Sequence, residues 1–251
     1  MGLEVFPVTP RVWCVRRRSY LTCSYVVQAP VGIVLVDAGM DSEGRDIERA
    51  LARAFRAAPA DVRAILLTHW HNDHAAGARA IQEKSSAKIY YHAGDQAELT
   101  RTTASRGVRG WLAERVPELG PLVLLKGLLG EAVPRAVAAH RLISDGDTVE
   151  GDFAAICTPG HTPGHVSFFY GPERILFAGD ALAVIGSRVR FMSRPVTLDL
   201  TEARRSMVRC LERPIEHLCP GHRMPLSTDV PGRCSELLER LKTEAPWPLF
   251  G

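Results

Sequence analysis

The sequence contains no apolar run long enough to span a bilayer and no strong excess of one charge. Its longest apolar stretches, at 32–36 and 121–129, are far shorter than the roughly 20 residues that a membrane helix needs. The formal net charge is +3, too small to indicate the basic surface of a nucleic-acid-binding protein. We therefore expect neither a membrane partner nor a nucleic-acid partner.

Paired cysteines, an export signal and internal repeats are also missing. None of the six cysteines belongs to a CxxC pair or shows disulfide-like spacing. The arginines near the start follow a short apolar stretch, the reverse of the order in an export signal. These features predict reduced thiols and a cytoplasmic location, and nothing in the sequence indicates a solenoid.

The chain does contain short β-branched runs that alternate with helical periodicity in two similar halves. In the first half we predict strands at 12–15, 24–28, 32–37, 63–68 and 88–92, and helices at 44–57 and 75–83. In the second half we predict strands at 153–157, 166–170, 175–177 and 215–219, and helices at 200–212 and 235–242. Two sheet-forming halves, each covered by helices, indicate a sandwich of two β-sheets with helices outside.

Residues 95–140 stand apart between these halves. The segment at 110–116 and the apolar piece at 121–129 indicate a helical insertion. Three roles are open for it: a lid over a pocket, packing against the sandwich, or a contact in a homodimer. The length of 251 residues suits one large domain, so we assign residues 1–251 to a single α/β domain that includes this insertion.

The most informative segment is the run HWHNDH at 69–74, placed between a predicted strand and a predicted helix. In an extended segment, His69 and His71 point to the same side because side chains alternate with a period of two. The turn into the helix then brings Asp73 and His74 toward a second point nearby. The segment is therefore predicted to supply ligands to two adjacent metal ions, and zinc accepts this mixture of imidazole and carboxylate.

Three further metal-competent side chains follow strands later in the chain. His161 lies in TPGHTPGH at 158–165, Asp180 ends the run FAGD, and His222 ends the run PGH. With the first segment they give seven candidate ligands: His69, His71, Asp73, His74, His161, Asp180 and His222.

At these residues the chain resembles the metallo-β-lactamase superfamily of metallohydrolases. The resemblance extends from the Asp37-Ala38-Gly39 turn to His222 and implies a four-layer αββα sandwich of two mixed β-sheets. It also implies two metal sites that share a carboxylate: His69, His71 and His161 for the first, Asp73, His74 and His222 for the second, and Asp180 as the bridge.

Two Zn²⁺ ions are the expected cofactors, and iron or manganese would suit the same donors. Two dications that share an oxygen bring the pKa of a bound water toward neutrality, so a bridging hydroxide is the expected nucleophile. Asp73 is the candidate catalytic residue that moves its proton. The expected activity is zinc-dependent hydrolysis of an activated carbonyl compound, such as a thioester, a lactone or a similar ester or amide.

A charge count narrows the expected substrate. Two dications with Asp73, Asp180 and hydroxide leave a formal charge of about +1, which favours a small molecule that carries a carboxylate or forms an anionic leaving group. The chain is similar to glyoxalase II around all seven candidate ligands, although about 29 residues follow His222, where glyoxalase II carries a helical glutathione-binding region. It is similar to lactone-hydrolysing relatives in length, yet Asp180 is followed by Ala-Leu-Ala rather than by a nearby tyrosine.

Other branches of the superfamily are less similar. True β-lactamases lack the bridging aspartate and are exported, flavodiiron proteins have a glutamate where this chain has His71, and the RNA-processing branches carry extra motifs. The alternative function from another class is a mononuclear iron persulfide dioxygenase, whose iron would be held by His69, His161 and Asp180.

Four histidines lie outside the predicted ligand set. We expect His165 to orient a ligand rather than to bind metal, since the family motif uses the first histidine of the TPGHTPGH run. His92, His140 and His217 have no motif around them, and we expect surface or strand-end positions for them.

Overall fold

The chain forms two β-sheets that share one apolar core between their inner faces and carry helices on their outer faces. This computed structural model describes residues 2–18, 20–101, 135–243 and 246–247. Helices are numbered below in chain order among these residues.

The first sheet has seven strands whose order in space equals their order in the sequence. The first four strands pair antiparallel, and the fourth to seventh pair parallel. The strands are β1 (Leu3–Pro7), β2 (Val12–Arg17), β3 (Thr22–Ala29), β4 (Gly32–Val36), β5 (Val62–Leu66), β6 (Lys88–His92) and β7 (Arg141–Ile143). The helices in this half are α1 (Arg45–Phe55), α2 (Asn72–Ala75), α3 (Ala78–Lys84) and α4 (Gln96–Leu99).

The second sheet has five strands in the order β14-β11-β10-β9-β8, with one parallel pair, β11 and β14. A separate hairpin, β12–β13, follows β11. The strands are β8 (Thr148–Val149), β9 (Phe153–Cys157), β10 (Val166–Tyr170), β11 (Ile175–Gly179), β12 (Leu182–Ile185), β13 (Arg188–Phe191) and β14 (His217–Pro220). Helices α5 (Leu200–Leu211) and α6 (Val230–Lys242) belong to this half.

Alternation along the strands divides the apolar residues among three cores. On β5, Leu66 faces the core between the sheets, where it packs in one cluster with Phe168 of the second sheet, whereas Ile65 faces the first helical layer. On the other outer face, Leu176 packs with Met207 of α5 in a third cluster. Both sheets are mixed and both outer faces are covered, which confirms the predicted four-layer αββα sandwich.

Several predicted boundaries were wrong. The predicted helix at 75–83 is broken into α2 and α3 around Gly77, because the Gly77 nitrogen donates to the Gly39 carbonyl at 3.2 Å and the His74 carbonyl accepts from the Ala38 nitrogen at 2.7 Å. The predicted strand at 215–219 begins at His217 instead. Strands β1, β7 and β8 and the hairpin β12–β13 were not predicted.

The predicted insertion at 95–140 is described only at its two ends. Residues 95–101 contain α4, and residues 135–140 lead into β7. Residues 102–134, which include the apolar piece at 121–129, lie outside the described residues. The three roles considered for the insertion therefore stay predictions.

The structure gives two further findings about the whole chain. All six cysteines are free. Within the described ranges, no helix combines the length and apolar character that crossing a membrane requires.

The loops that follow β6 and β9 pack so closely that glycine is required at their contact. A Cβ at Gly164 would lie 2.6 Å from the Asp95 carboxylate and would also clash with the Asp95 backbone nitrogen. Because backbone lies on both sides of this contact, neither loop can yield by a side-chain rotation alone.

We predict that Gly164→Ala lowers the free energy of unfolding by about 1–3 kcal/mol, the usual cost of overpacking. The matched control is Gly171→Ala, where the nearest atom to a new Cβ is the Asp152 carbonyl oxygen at 4.0 Å. The control should change stability by less than about 0.5 kcal/mol. Urea unfolding measures both variants, and equal midpoints for the two would contradict the close packing.

Candidate metal centre

The chain brings its candidate ligands together at the ends of strands. His69 follows β5, His161 follows β9, Asp180 follows β11 and His222 follows β14. Strands β9, β11 and β14 run in the same direction, since β9 and β11 are both antiparallel to β10. The loops at their carboxyl ends therefore meet at one edge of the second sheet.

Three imidazoles form the first cluster. His71 Nδ1 lies 3.0 Å from His69 Nε2 and 2.9 Å from His161 Nε2. Ligand nitrogens on a tetrahedral zinc ion, with bonds of about 2.0–2.1 Å, lie roughly 3.3 Å apart. The spacing of the three nitrogens therefore fits one face of a zinc site.

A carboxylate and two imidazoles form the second cluster. Asp73 Oδ2 lies 3.4 Å from His222 Nε2 and 3.7 Å from His74 Nε2. The two ring nitrogens, His74 Nε2 and His222 Nε2, are 3.4 Å apart. These separations are also those of donors that share one metal ion.

Asp180 lies between the two clusters. Its Oδ2 is 3.4 Å from His161 Nε2 and 3.3 Å from His222 Nε2, so one oxygen faces a donor of each cluster. Its Oδ1 is buried, lies 3.6 Å from His74 Nε2 and accepts no hydrogen bond within the described residues. A buried carboxylate oxygen without a hydrogen-bond donor fits a position that faces a cation.

The first cluster is electrostatically suited to neutral imidazole. Burial and the neighbouring rings hold the pKa of His69 well below its usual range and lower that of His71 to about 4. Burial also lowers the pKa of His161, although Asp180 opposes this. Neutral imidazole is the form that binds a metal ion.

The second cluster is electrostatically different. Burial disfavours the charged form of His74, yet Asp73, Asp180 and Asp37 outweigh it and raise its pKa to about 9. Burial likewise opposes protonation of His222, and Asp180 and Asp73 raise its pKa to about 10. The negative potential that holds these protons would equally hold a cation, and binding a cation there would release the protons.

In four of the candidate ligand histidines, one ring nitrogen contacts a protein oxygen, and this contact directs the other nitrogen into the centre. The pairs are His69 Nδ1 with Thr68 Oγ1 at 3.0 Å, His74 Nδ1 with Asp37 Oδ2 at 2.8 Å, His161 Nδ1 with the Val196 carbonyl at 2.5 Å, and His222 Nδ1 with the Tyr20 carbonyl at 3.2 Å.

Asp37 was identified in the sequence only as part of a turn, and its contacts were not predicted. Besides accepting from His74, its carboxylate accepts from the backbone nitrogen and the hydroxyl of Thr68. Because the Thr68 hydroxyl donates to Asp37, its oxygen is free to accept from His69 Nδ1. Asp37 thus orients one histidine of each cluster.

Asp95 was missed entirely by the sequence analysis. Its side chain is buried and accepts hydrogen bonds from the Trp70 nitrogen at 3.1 Å, the Thr162 hydroxyl at 2.8 Å and the Gly164 nitrogen at 2.8 Å. The available signal was an acidic residue shortly after a predicted strand, at the same sheet edge as the ligands.

His165 lies where an orienting residue was expected. It is buried, its Nδ1 pairs with the Thr158 hydroxyl at 2.7 Å, and its Nε2 accepts from the Asp180 backbone nitrogen at 2.9 Å. That contact fixes the backbone of Asp180. Among the described residues, His92, His140 and His217 belong to none of the three donor groups.

A cavity of about 890 Å³ opens onto the centre. Five of the candidate ligands contribute to its wall: His71, Asp73, His161, Asp180 and His222. A small molecule in this cavity would therefore reach both clusters.

The chain is similar to several curated proteins. The probable metallo-hydrolase YflN of Bacillus subtilis (strain 168) is 28% identical over 237 residues, which cover 87% of each chain. The hydroxyacylglutathione hydrolase of Hyphomonas neptunium is 29% identical over 122 residues, 47% of this chain and 33% of that protein. The chain thus matches only about a third of the length of that hydrolase.

Solved structures of low identity share the fold. The metallo-beta-lactamase family protein TTHA1429 from Thermus thermophilus superposes with a TM-score of 0.65 at 23% identity, covering 94% of this chain and 81% of that one. A B3 metallo-beta-lactamase with an active-site glutamic acid gives a TM-score of 0.67 at 19% identity, covering 96% and 88%.

The family comparison covers most of the chain. The sequence model of the metallo-beta-lactamase superfamily matches residues 21–222, a range that contains all seven candidate ligands. The chain therefore belongs to the metallo-beta-lactamase superfamily.

Proposed function

We propose that the protein is a zinc-dependent hydrolase with a dinuclear metal centre that cleaves an activated carbonyl compound. The substrate class comprises thioesters, lactones and similar esters or amides. The observation that carries this proposal is the position of Asp180, whose Oδ2 lies 3.4 Å from His161 Nε2 and 3.3 Å from His222 Nε2.

The seven donors would form two adjacent metal-binding positions. His69, His71 and His161 would hold one ion, Asp73, His74 and His222 the other, and Asp180 both. When bound by these residues, two Zn²⁺ ions would lower the pKa of a bound water and would supply a Lewis acid for the substrate carbonyl.

Asp73 is the proposed catalytic residue. Its side chain is 15% exposed and lines the cavity, while Oδ2 stays 3.4 Å from His222 Nε2. A carboxylate in this position reaches both the centre and an incoming substrate, as accepting and returning a proton requires.

The relatives support hydrolysis, and glyoxalase II-like thioester cleavage in particular. One matched protein is named a probable metallo-hydrolase and another a hydroxyacylglutathione hydrolase. A mononuclear iron dioxygenase would need only His69, His161 and Asp180. The complete second donor set of Asp73, His74 and His222 favours two ions. The cytoplasmic location and a homodimer stay predictions from the sequence.

We predict that the protein purified without added metal contains about two metal ions per chain, mostly zinc, as measured by elemental analysis. Removing them with a chelator should abolish thioester hydrolysis, and zinc should restore it, because no other nucleophile is proposed. About one iron per chain, with oxygen uptake in the presence of glutathione persulfide, would instead support the dioxygenase.

We predict that Asp180→Asn lowers the metal content and reduces kcat/KM by more than about 100-fold. Removing a residue that hydrogen-bonds to a metal ligand reduces activity by up to about 100-fold, and replacing a ligand shared by two ions should reduce it further. The amide keeps the size of the side chain but removes its charge. Elemental analysis and thioester kinetics measure the two effects.

The matched control is Asp61→Asn. Asp61 is exposed at the opposite end of β5 from the centre, where its carboxylate accepts a hydrogen bond from the Ala58 nitrogen. This variant should keep wild-type metal content and activity. Wild-type turnover in Asp180→Asn would overturn the two-metal proposal.

A further inference from the structure

The cavity beside the metal centre has one apolar wall. The hairpin β12–β13 and the segment after it provide this wall, through Leu182, Ile185, Met192, Val196 and Leu198. Val196 is 48% exposed and Leu198 is 77% exposed, so their apolar surfaces face solvent or a ligand. A hydrocarbon group bound here would remove this surface from water.

The charged lining of the cavity, apart from the candidate ligands, consists of three side chains within the described residues. Two of them, Glu98 and Arg101, form an ion pair with each other at 2.5 Å. The third is Arg223, whose guanidinium makes no ion pair or hydrogen bond with any other described residue. Arg223 is exposed and has no carboxylate partner among the described residues, so its guanidinium is available to a ligand in this part of the cavity.

The backbone at Arg223 is held in a strained conformation beside the centre. Its φ is 78°, in the left-handed region that side chains other than glycine rarely adopt. Its nitrogen donates to the Leu21 carbonyl at 2.7 Å, and its carbonyl accepts from the Cys23 thiol at 3.2 Å. Strain that is held by contacts on both sides is typical of functional positions, and Arg223 directly follows the candidate ligand His222.

We propose that Arg223 binds a carboxylate of the substrate while the hairpin wall holds its hydrocarbon part. The substrate is then an amphipathic carboxylate, in which an apolar acyl group is joined through a thioester or ester to a moiety that carries the acid. The planar guanidinium suits this role because its paired donors match the two carboxylate oxygens. This inference rests on the proposed hydrolase function and adds the chemistry that selects the substrate.

The test uses two thioesters with the same octanoyl group. One is S-octanoyl thioglycolic acid, which carries a free carboxylate, and the other is its methyl ester, which does not. The wild-type holoenzyme should prefer the acid by about tenfold in kcat/KM, mainly through KM, as expected for a hydrogen bond to a charged group. Arg223→Gln should lose this preference and still hydrolyse the methyl ester. Arg223→Lys keeps the positive charge but lacks the paired donors of the guanidinium, so it should retain part of the preference for the acid.

The matched control is Arg53→Gln, at an exposed position near the end of α1. It should retain the wild-type preference. An unchanged preference for the acid in Arg223→Gln, or no preference in the wild type, would overturn the role of Arg223 while leaving hydrolysis intact. Shortening the acyl group from octanoyl to acetyl should lower kcat/KM, and equal rates would overturn the apolar wall.

A different result would show that the proposed hydrolase function itself is wrong. If neither thioester is hydrolysed by protein loaded with two zinc ions, the hydrolase proposal fails. Calorimetric binding of octanoate, which has no scissile bond, then tests Arg223 separately. The wild type should bind octanoate more tightly than Arg223→Gln, and equal affinity would overturn the inference.

A second, independent inference concerns Asp95. This carboxylate is 1% exposed, and its three hydrogen bonds join two loops that carry metal ligands. Trp70 lies between His69 and His71 in one loop, and Thr162 follows His161 in the other. We infer that Asp95 is a positioning residue that sets the distance between these loops and thereby the geometry of the first cluster.

The test is Asp95→Asn, which keeps the shape but replaces one accepting oxygen with a group that cannot accept. Zinc affinity, measured by competition with a chromophoric chelator, should fall about 10- to 100-fold for the first cluster. The matched control is Asp147→Asn, whose carboxylate accepts from the Ser144 nitrogen away from both loops. Lower thermal stability with unchanged zinc affinity would show a structural role only and overturn the inference.

Discussion

The buried negative charge of Asp180 is the constraint on which the rest of the centre depends. A carboxylate removed from water is costly unless opposite charge and hydrogen-bond donors surround it. Burial alone would raise its pKa, but His222, His74 and His161 hold it well below the usual range. The same field raises the pKa values of His74 and His222, so the second cluster attracts positive charge as protons or as a metal ion.

The two sheets convert this electrostatic requirement into fixed positions. Short loops at strand ends carry the candidate ligands, and each loop is anchored by the strand before it. The loops touch one another as well, since Asp95 joins two of them and glycine at position 164 permits their close approach. Precision at the centre therefore comes from backbone contacts between loops as much as from the strands.

The candidate ligands were recognisable in the sequence, whereas most of the side chains that contact and orient them were not. The seven donors stand out because a run such as HWHNDH at 69–74 is locally unusual and each later donor follows a strand signal. Asp37 and Asp95 carry no comparable local pattern, since their roles arise only when separate loops pack together. The break at Gly77 was missed for the same reason, because the backbone hydrogen bonds made there go to the turn at Ala38 and Gly39, distant in the sequence.

The candidate ligands, which were visible in the sequence, and the cavity wall, which was not, lie on different kinds of element. The donors lie on loops of the two sheets, whose hydrophobic periodicity is visible in the sequence. The cavity wall lies instead on the hairpin β12–β13 and at Arg223, where short strands and one strained residue leave little pattern. Side chains on this wall could therefore be exchanged while the candidate ligands keep their positions, since the contact between the wall and His161 Nδ1 is made by the backbone carbonyl of Val196.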